Sequence, residues 1–146
     1  MRTIYDVSFA GTVINIGGAT ITDFMDDAHP IDVQDTDVCN IEWDCNGCMI
    51  RTIKPSAVII SVTVIPGSPS DNKLKTIWKK NLCQEGSVDL SYANQGLSCS
   101  ISSGNPKVGS YTFRGGTCVS GAGAITSNGQ GKMGGNTYTF AFTQVT

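Results

Sequence analysis

Six cysteines, one histidine and a dense run of carboxylates are the side chains of this 146-residue sequence best equipped for chemistry. The closest cysteine pair is Cys45-Asn-Gly-Cys48. Two thiolates at that spacing suit a tetrahedral zinc or a thiol–disulfide exchange, but zinc needs two further ligands. No second C-x2-C or histidine pair supplies them, and His29 stands alone between Ala28 and Pro30. A thioredoxin-type site needs a helix opening at its first cysteine within a βαβ unit. Here Asn46-Gly47 is instead the strongest hairpin-turn signal in the chain. Cys39, Cys83, Cys99 and Cys118 are scattered. The start MRTIYDVSFAG carries an acid and no continuous apolar run, so it does not read as a secretory signal. Reduced, buried structural thiols are therefore expected, with no disulfide and no bound metal. A Cys45/Cys48 metal or redox module is the weaker alternative.

The carboxylates are as uneven as the thiols are scattered. Residues 1–50 hold nine acids and one base, a balance of −8, and residues 51–146 hold three acids and nine bases, a balance of +6. Eight of the acids lie between Asp23 and Asp44 with no Lys or Arg among them. One reading is a solvated acidic loop. A calcium loop is a second, but Asp35-Thr36-Asp37 lacks the glycine and glutamate that such a loop needs. The third is self-association, in which Asp23, Asp26, Asp27, Asp32, Asp35 and Asp37 of one copy face Lys73, Lys75, Lys79 and Lys80 of the next.

Catalytic patterns are missing: there is no Gly-x-Ser-x-Gly elbow, no His-Glu-x-x-His and no Walker loop. The acids are clustered rather than paired in an apolar setting. A pI near 5.1 argues against tight nucleic-acid binding. No catalytic residue and no cofactor or metal is assigned, and the chain is expected not to be an enzyme.

The elements that would carry these residues are mostly strands. In AVIISVTVI (57–65), Val58, Ile60, Val62 and Val64 share one face while Ile59, Ser61, Thr63 and Ile65 share the other. Pro66-Gly67 ends that strand. Ser68 is a candidate N-cap, Pro69 takes the first helical position, and Asp71 completes the capping signature. Leu74, Ile77, Trp78 and Leu82 then form one apolar stripe, so the spacing predicts a helix over about 69–82 with Trp78 buried on strand 57–65.

Upstream, YDVSFAGTVINI (5–16) reads as a strand or bent hairpin, and Thr20–Phe24 as a short second piece. The acidic run 25–38 reads as a loop. CNIEWDC, with Cys39, Ile41, Trp43 and Cys45 on one face, returns through Met49–Ile53 as a hairpin. Downstream, short strands are expected at 87–91, 97–101 and 110–119, then a Gly/Ser-rich loop at 120–136. A terminal strand follows in which Tyr138, Phe140 and Phe142 alternate with polar residues. The whole is a mainly β fold, a small β-barrel or sandwich with one short helix, in a single domain over 1–146. No run of apolar residues is long enough to span a membrane.

Three stretches together resemble the tail tube proteins of contractile-tailed bacteriophages. They are GTVINIGGATITDFMDD, the strand and turn from Trp43 to Gly47, and SVTVIPGSPSDNKLKTIW, a strand, a turn and the start of a helix. The resemblance covers roughly residues 5–82, and residues 83–146 match it only in outline. It implies a structural virion protein, made in the host cytoplasm, that forms hexameric rings stacked head to tail. Such a tube lies inside a contractile sheath and conducts DNA. Its implied partners are further copies of itself, the sheath, terminator and baseplate proteins, and the tape-measure protein and DNA in the lumen. The tube of a tail-derived bacteriocin, or a baseplate or docking component, is the alternative reading.

Overall fold

A computed structural model describes residues 11–25, 30–54, 56–81, 96–104, 107–121 and 134–146. Along the chain it contains β1 (Val13–Ile16), β2 (Ala19–Ile21), β3 (Ile31–Val33), β4 (Cys39–Trp43), β5 (Met49–Ile53) and β6 (Val58–Val64). These are followed by α1 (Pro69–Asn81), β7 (Leu97–Ser102), β8 (Ser110–Ser120), β9 (Asn136–Phe142) and β10 (Gln144–Val145). The main sheet runs β2-β1-β7-β8-β9-β6-β3, with β10 against β8. Among the described residues it does not close into a barrel, and the sandwich half of the expectation is the one met.

The eleven-residue β8 makes the sandwich, because it belongs to both layers. Its first half pairs with β7 up to Leu97↔Gly116, and its second half pairs with β9 from Thr117↔Ala141 onward. The change of partner falls at Gly115-Gly116. Gly115 has φ +66°, and a Cβ on Gly116 would collide with the Phe142 ring. The glycine pair is thus a bend within one continuous strand.

The core lies between the layers. Ile14, Ile16, Leu97, Cys99 and Phe113 come from one side, and Ile60, Val62, Val64, Tyr138, Phe140 and Phe142 from the other. The inward faces of β6 and β9 are those that the alternation indicates, and their register pairs Ile60 with Phe140 and Val62 with Tyr138. The Phe113 and Phe142 rings meet across the core with centroids 5.8 Å apart.

Two elements depart from expectation. Within the acidic run, Ile31–Val33 is a strand, with Asp32 opposite Ser61 on β6. Three residues flanked by acids carry too little periodicity to announce it. The helix has the expected start, but it packs across β2 and β8 rather than on β6. Leu74 and Ile77 are buried, while Trp78 is half-buried, its indole lying against Gly121 just beyond β8. Trp78→Ala is accordingly expected to cost about 2–3 kcal/mol, below the 3–5 of a fully buried aromatic. Thermal or urea unfolding reads this out, and no loss would mean that the indole contributes nothing at this seam. Leu82, the strand expected at 87–91 and most of the Gly/Ser-rich loop lie outside the described residues.

Candidate assembly surface

Strands β4 and β5 form a sheet of their own, separate from the core. Their register sets Cys39 opposite Ile53, Ile41 opposite Arg51 and Trp43 opposite Met49, so these six side chains share one face. Asn40, Glu42, Ile50 and Thr52 form the other. The first face is the apolar one and it meets water: Ile41 is 53% exposed, Trp43 65%, Met49 55% and Ile53 73%. The expected hairpin is present, but its apolar side does not pack on the chain's own core. Solitary exposed apolar residues are ordinary, whereas a contiguous set of this kind marks an interaction surface.

The turn is built by Asp44. Its Oδ1 accepts the N–H groups of Asn46 at 2.9 Å and Cys48 at 2.8 Å. Asp44 N–H donates to Cys48 O, Gly47 N–H donates to Asp44 O, and Gly47 takes φ +81°. This is a turn followed by a glycine in the left-handed region, a three-residue loop rather than a two-residue one. Cys45 therefore sits in the loop and not on the Cys39–Trp43 face.

The thiols divide by position. Cys99 is buried and Cys39 and Cys118 are half-buried, but Cys45 and Cys48 are exposed, contrary to the expectation of buried thiols throughout. Burial pushes the Cys99 thiol up to about 12 and the Cys118 thiol up to about 11, the latter partly offset by a backbone hydrogen bond at Ser120. Among the described residues no three His, Cys, Asp or Glu side chains gather as a metal site. His29 and Cys83 lie outside them.

Of the acids and lysines proposed for self-association, several have partners within the chain. Asp23 Oδ2 accepts from Ser70 Oγ at 2.8 Å and from Ser70 N–H, which ties the end of β2 to the helix start. Asp37 pairs with Lys54 at 3.6 Å, and Lys75 with Asp71 at 3.7 Å. Lys73 Nζ reaches Thr20 O at 3.4 Å. Asp32 lies half-buried in β3, whereas Asp35 and Lys79 are exposed and Lys80 is exposed in the last helical turn. Asp26 and Asp27 are outside the described residues.

A buried carboxylate is the feature that sequence reading missed. Asp71 is 0% exposed; its Oδ1 accepts from Asn136 Nδ2 at 2.9 Å and Tyr138 OH at 2.8 Å, and its Oδ2 from Gly67 N–H at 3.1 Å. Burial by itself would raise its pKa, but the bonds from Asn136, Gly67 and Tyr138, with Lys75 nearby, together hold it below the ordinary carboxylate value. The capping signature shows half of this: Ser68 Oγ accepts Asp71 N–H at 3.2 Å as expected. The partners on β9 are 65 and 67 residues away, beyond the reach of any local pattern.

The model of a family described as tail fiber protein gp32 matches residues 5–146. The chain belongs to that family. No curated protein matches it significantly.

Solved structures resemble this gp32-family chain over nearly its whole length. A chain from the sheath/tube terminator of the extracellular contractile injection system PVC, in its extended state, aligns with TM-score 0.63 and 12% identity, covering 99% of this chain and 98% of that one. A chain from the tube-terminating cap of the anti-feeding prophage gives TM-score 0.62 and 14% identity over 100% and 93%. The PVC sheath–tube complex gives 0.60 and 15% over 97% and 90%. At such identities these likenesses establish a shared fold. The tail family implied by the sequence is met in kind, under the description of a fiber protein rather than of an inner tube.

Proposed function

We propose that this gp32-family protein is a non-enzymatic structural subunit of a contractile tail or tail-like particle, and that it associates with copies of itself into stacked, hexameric rings of the inner tube. The observation that carries this reading is the exposed apolar face of the β4–β5 hairpin, a surface that a lone monomer leaves in water. A second copy is the occupant that the charge pattern favours, since the −8 and +6 segments of one chain complement each other between identical molecules. A head-to-tail contact of this kind does not close on itself and so propagates. The single domain would span 1–146, with sheath, terminator and baseplate proteins as outer partners and the tape-measure protein and DNA in the lumen. The assembled tail of the virion would be its location, after production in host cytoplasm.

The second reading, a terminator, cap or baseplate-docking subunit, is favoured by the TM-scores of 0.63 and 0.62 to terminator and cap chains. Size-exclusion chromatography with negative-stain microscopy separates the two. Tubes of stacked rings support the first reading, single rings the second, and a monomer at all concentrations overturns self-assembly.

Charge is assigned a steering part in that contact, with Asp26, Asp27 and Asp35 on one copy facing Lys79 and Lys80 on the next. Each exposed pair is worth only about 0.2–1 kcal/mol, so the charges orient the encounter more than they hold it. The double substitution Asp26→Lys, Asp27→Lys is expected to slow growth several-fold at low salt and flatten its salt dependence. Lys79→Glu with Lys80→Glu should partly restore the rate. Light scattering measures both, and an unchanged low-salt rate would place the acidic run outside the contact.

A further inference from the structure

The hairpin hangs from the body by its base, where Lys54 N–H donates to Val38 O at 3.1 Å, Ser56 Oγ donates to Asp37 O at 2.7 Å, and Lys54 pairs with Asp37. Beyond that base, among the described residues, β4 and β5 pair only with each other. An isolated two-stranded ribbon is marginal in water. Register matters here more than in most ribbons, because a one-residue slip would turn Ile41 and Trp43 to the polar face. The turn that fixes the register is held by water-exposed hydrogen bonds from and to Asp44. Cys45 and Cys48 stand in that same loop, both exposed and both with free thiols. Asp44 N–H meets Cys48 O at 3.0 Å and Gly47 N–H meets Asp44 O at 3.2 Å, so Cys45 and Cys48, three residues apart, belong to one closed loop.

We propose that Cys45 and Cys48 form a modification site, a dithiol that closes to an intrachain disulfide across the hairpin tip when the protein meets an oxidising small-molecule disulfide. The thiolate of one cysteine attacks the reagent RSSR, forms a mixed disulfide and releases RSH. The second thiolate then attacks the protein sulfur and releases the second RSH. The two cysteine thiols are oxidised together by two electrons, the reagent disulfide is reduced, and both protons leave on the two RSH. At a reducing poise the pair stays open. The buried Cys99, raised to about 12, offers almost no thiolate and does not compete. Closure staples the turn and keeps the apolar face in register whether or not a partner covers it, so the inference does not depend on the proposed assembly.

The test incubates the native protein with glutathione mixtures from fully reduced to strongly oxidised, followed by acid quench, alkylation and peptide mapping. The peptide holding Cys45 and Cys48 is expected to lose two hydrogens and become resistant to alkylation, with Cys99 still alkylated after unfolding. Hydrogen exchange of the β4 and β5 amides should slow about tenfold in the oxidised form. Cys45→Ser should show neither change. Stable glutathione adducts on both residues, a bridge between two copies, or thiols that stay open at the oxidising limit would each overturn the site. An intrachain bond that leaves hairpin exchange unaltered would overturn its part as a staple.

Discussion

Asp71→Ala is expected to lower folding stability by about 3–5 kcal/mol, because it leaves buried donors without acceptors. Asn136 Nδ2 and Tyr138 OH both point at Asp71 Oδ1, and Gly67 N–H points at Oδ2. Hydrogen bonds to a charged group contribute about 1.5–3 kcal/mol each, and several are lost together, short of full additivity. For a chain of this length the melting temperature should fall by roughly 10–20 °C. Tyr138→Phe removes one donor and strands nothing, since Asn136 still serves Oδ1, so it should cost only about 1–2 kcal/mol.

The pH dependence supplies a separate check. Asp71 has a folded-state pKa below its ordinary value, so its contribution is fully present above about pH 4 and is lost as pH falls through the lowered value. Asp71→Asn cannot titrate and offers an N–H₂ where Gly67 N–H needs an acceptor. Its deficit against the parent should therefore be constant from pH 5 to 7, within the window above about pH 4, and shrink in stronger acid. A deficit independent of pH down to acid unfolding would show that the charge itself contributes nothing.

That cluster also marks the limit of what the sequence made legible. Strands β6 and β9 were readable because alternate residues face the core along seven consecutive positions each, and Ile60, Val62, Tyr138 and Phe140 are buried as their spacing indicates. The helix start was readable because Ser68, Pro69 and Asp71 act on backbone groups within four residues. Asp71's second role was not, since Asn136 and Tyr138 reach it only after β9 folds against β6 and the helix docks. The strand at Ile31–Val33 was hidden by its acidic flanks and its length of three. For the hairpin, alternation correctly separated an apolar from a polar face. Periodicity, however, records only that a face avoids water, and it is silent on whether the cover is the chain's own core or another molecule.

Trp43→Ser combined with Met49→Ser is expected to abolish assembly at concentrations where the parent protein associates, and to leave the monomer folded. The two side chains are cross-strand partners near the tip, 65% and 55% exposed, so removing them opens no cavity in the monomer. The melting temperature of the monomer should move by no more than about 2 °C, as for other surface changes of up to ~0.5 kcal/mol. At an interface the same side chains behave differently. A buried aromatic anchor is typically worth about 2 kcal/mol or more, and that is close to a thirtyfold change in the association constant.

Because every copy would present the same hairpin, the loss recurs at each contact, and the critical concentration should rise at least about thirtyfold. Thr52→Ala, on the opposite face of the same ribbon, should leave it within a factor of about three. Sedimentation velocity across a concentration series reads both quantities. Unchanged assembly in the double variant would remove the hairpin's apolar face from the contact, whereas a monomer that melts far below the parent would mean that Trp43 and Met49 stabilise their own chain. The first outcome would shift the search to the sheet edges at β2 and β3, where the main-chain groups of a second copy could pair instead.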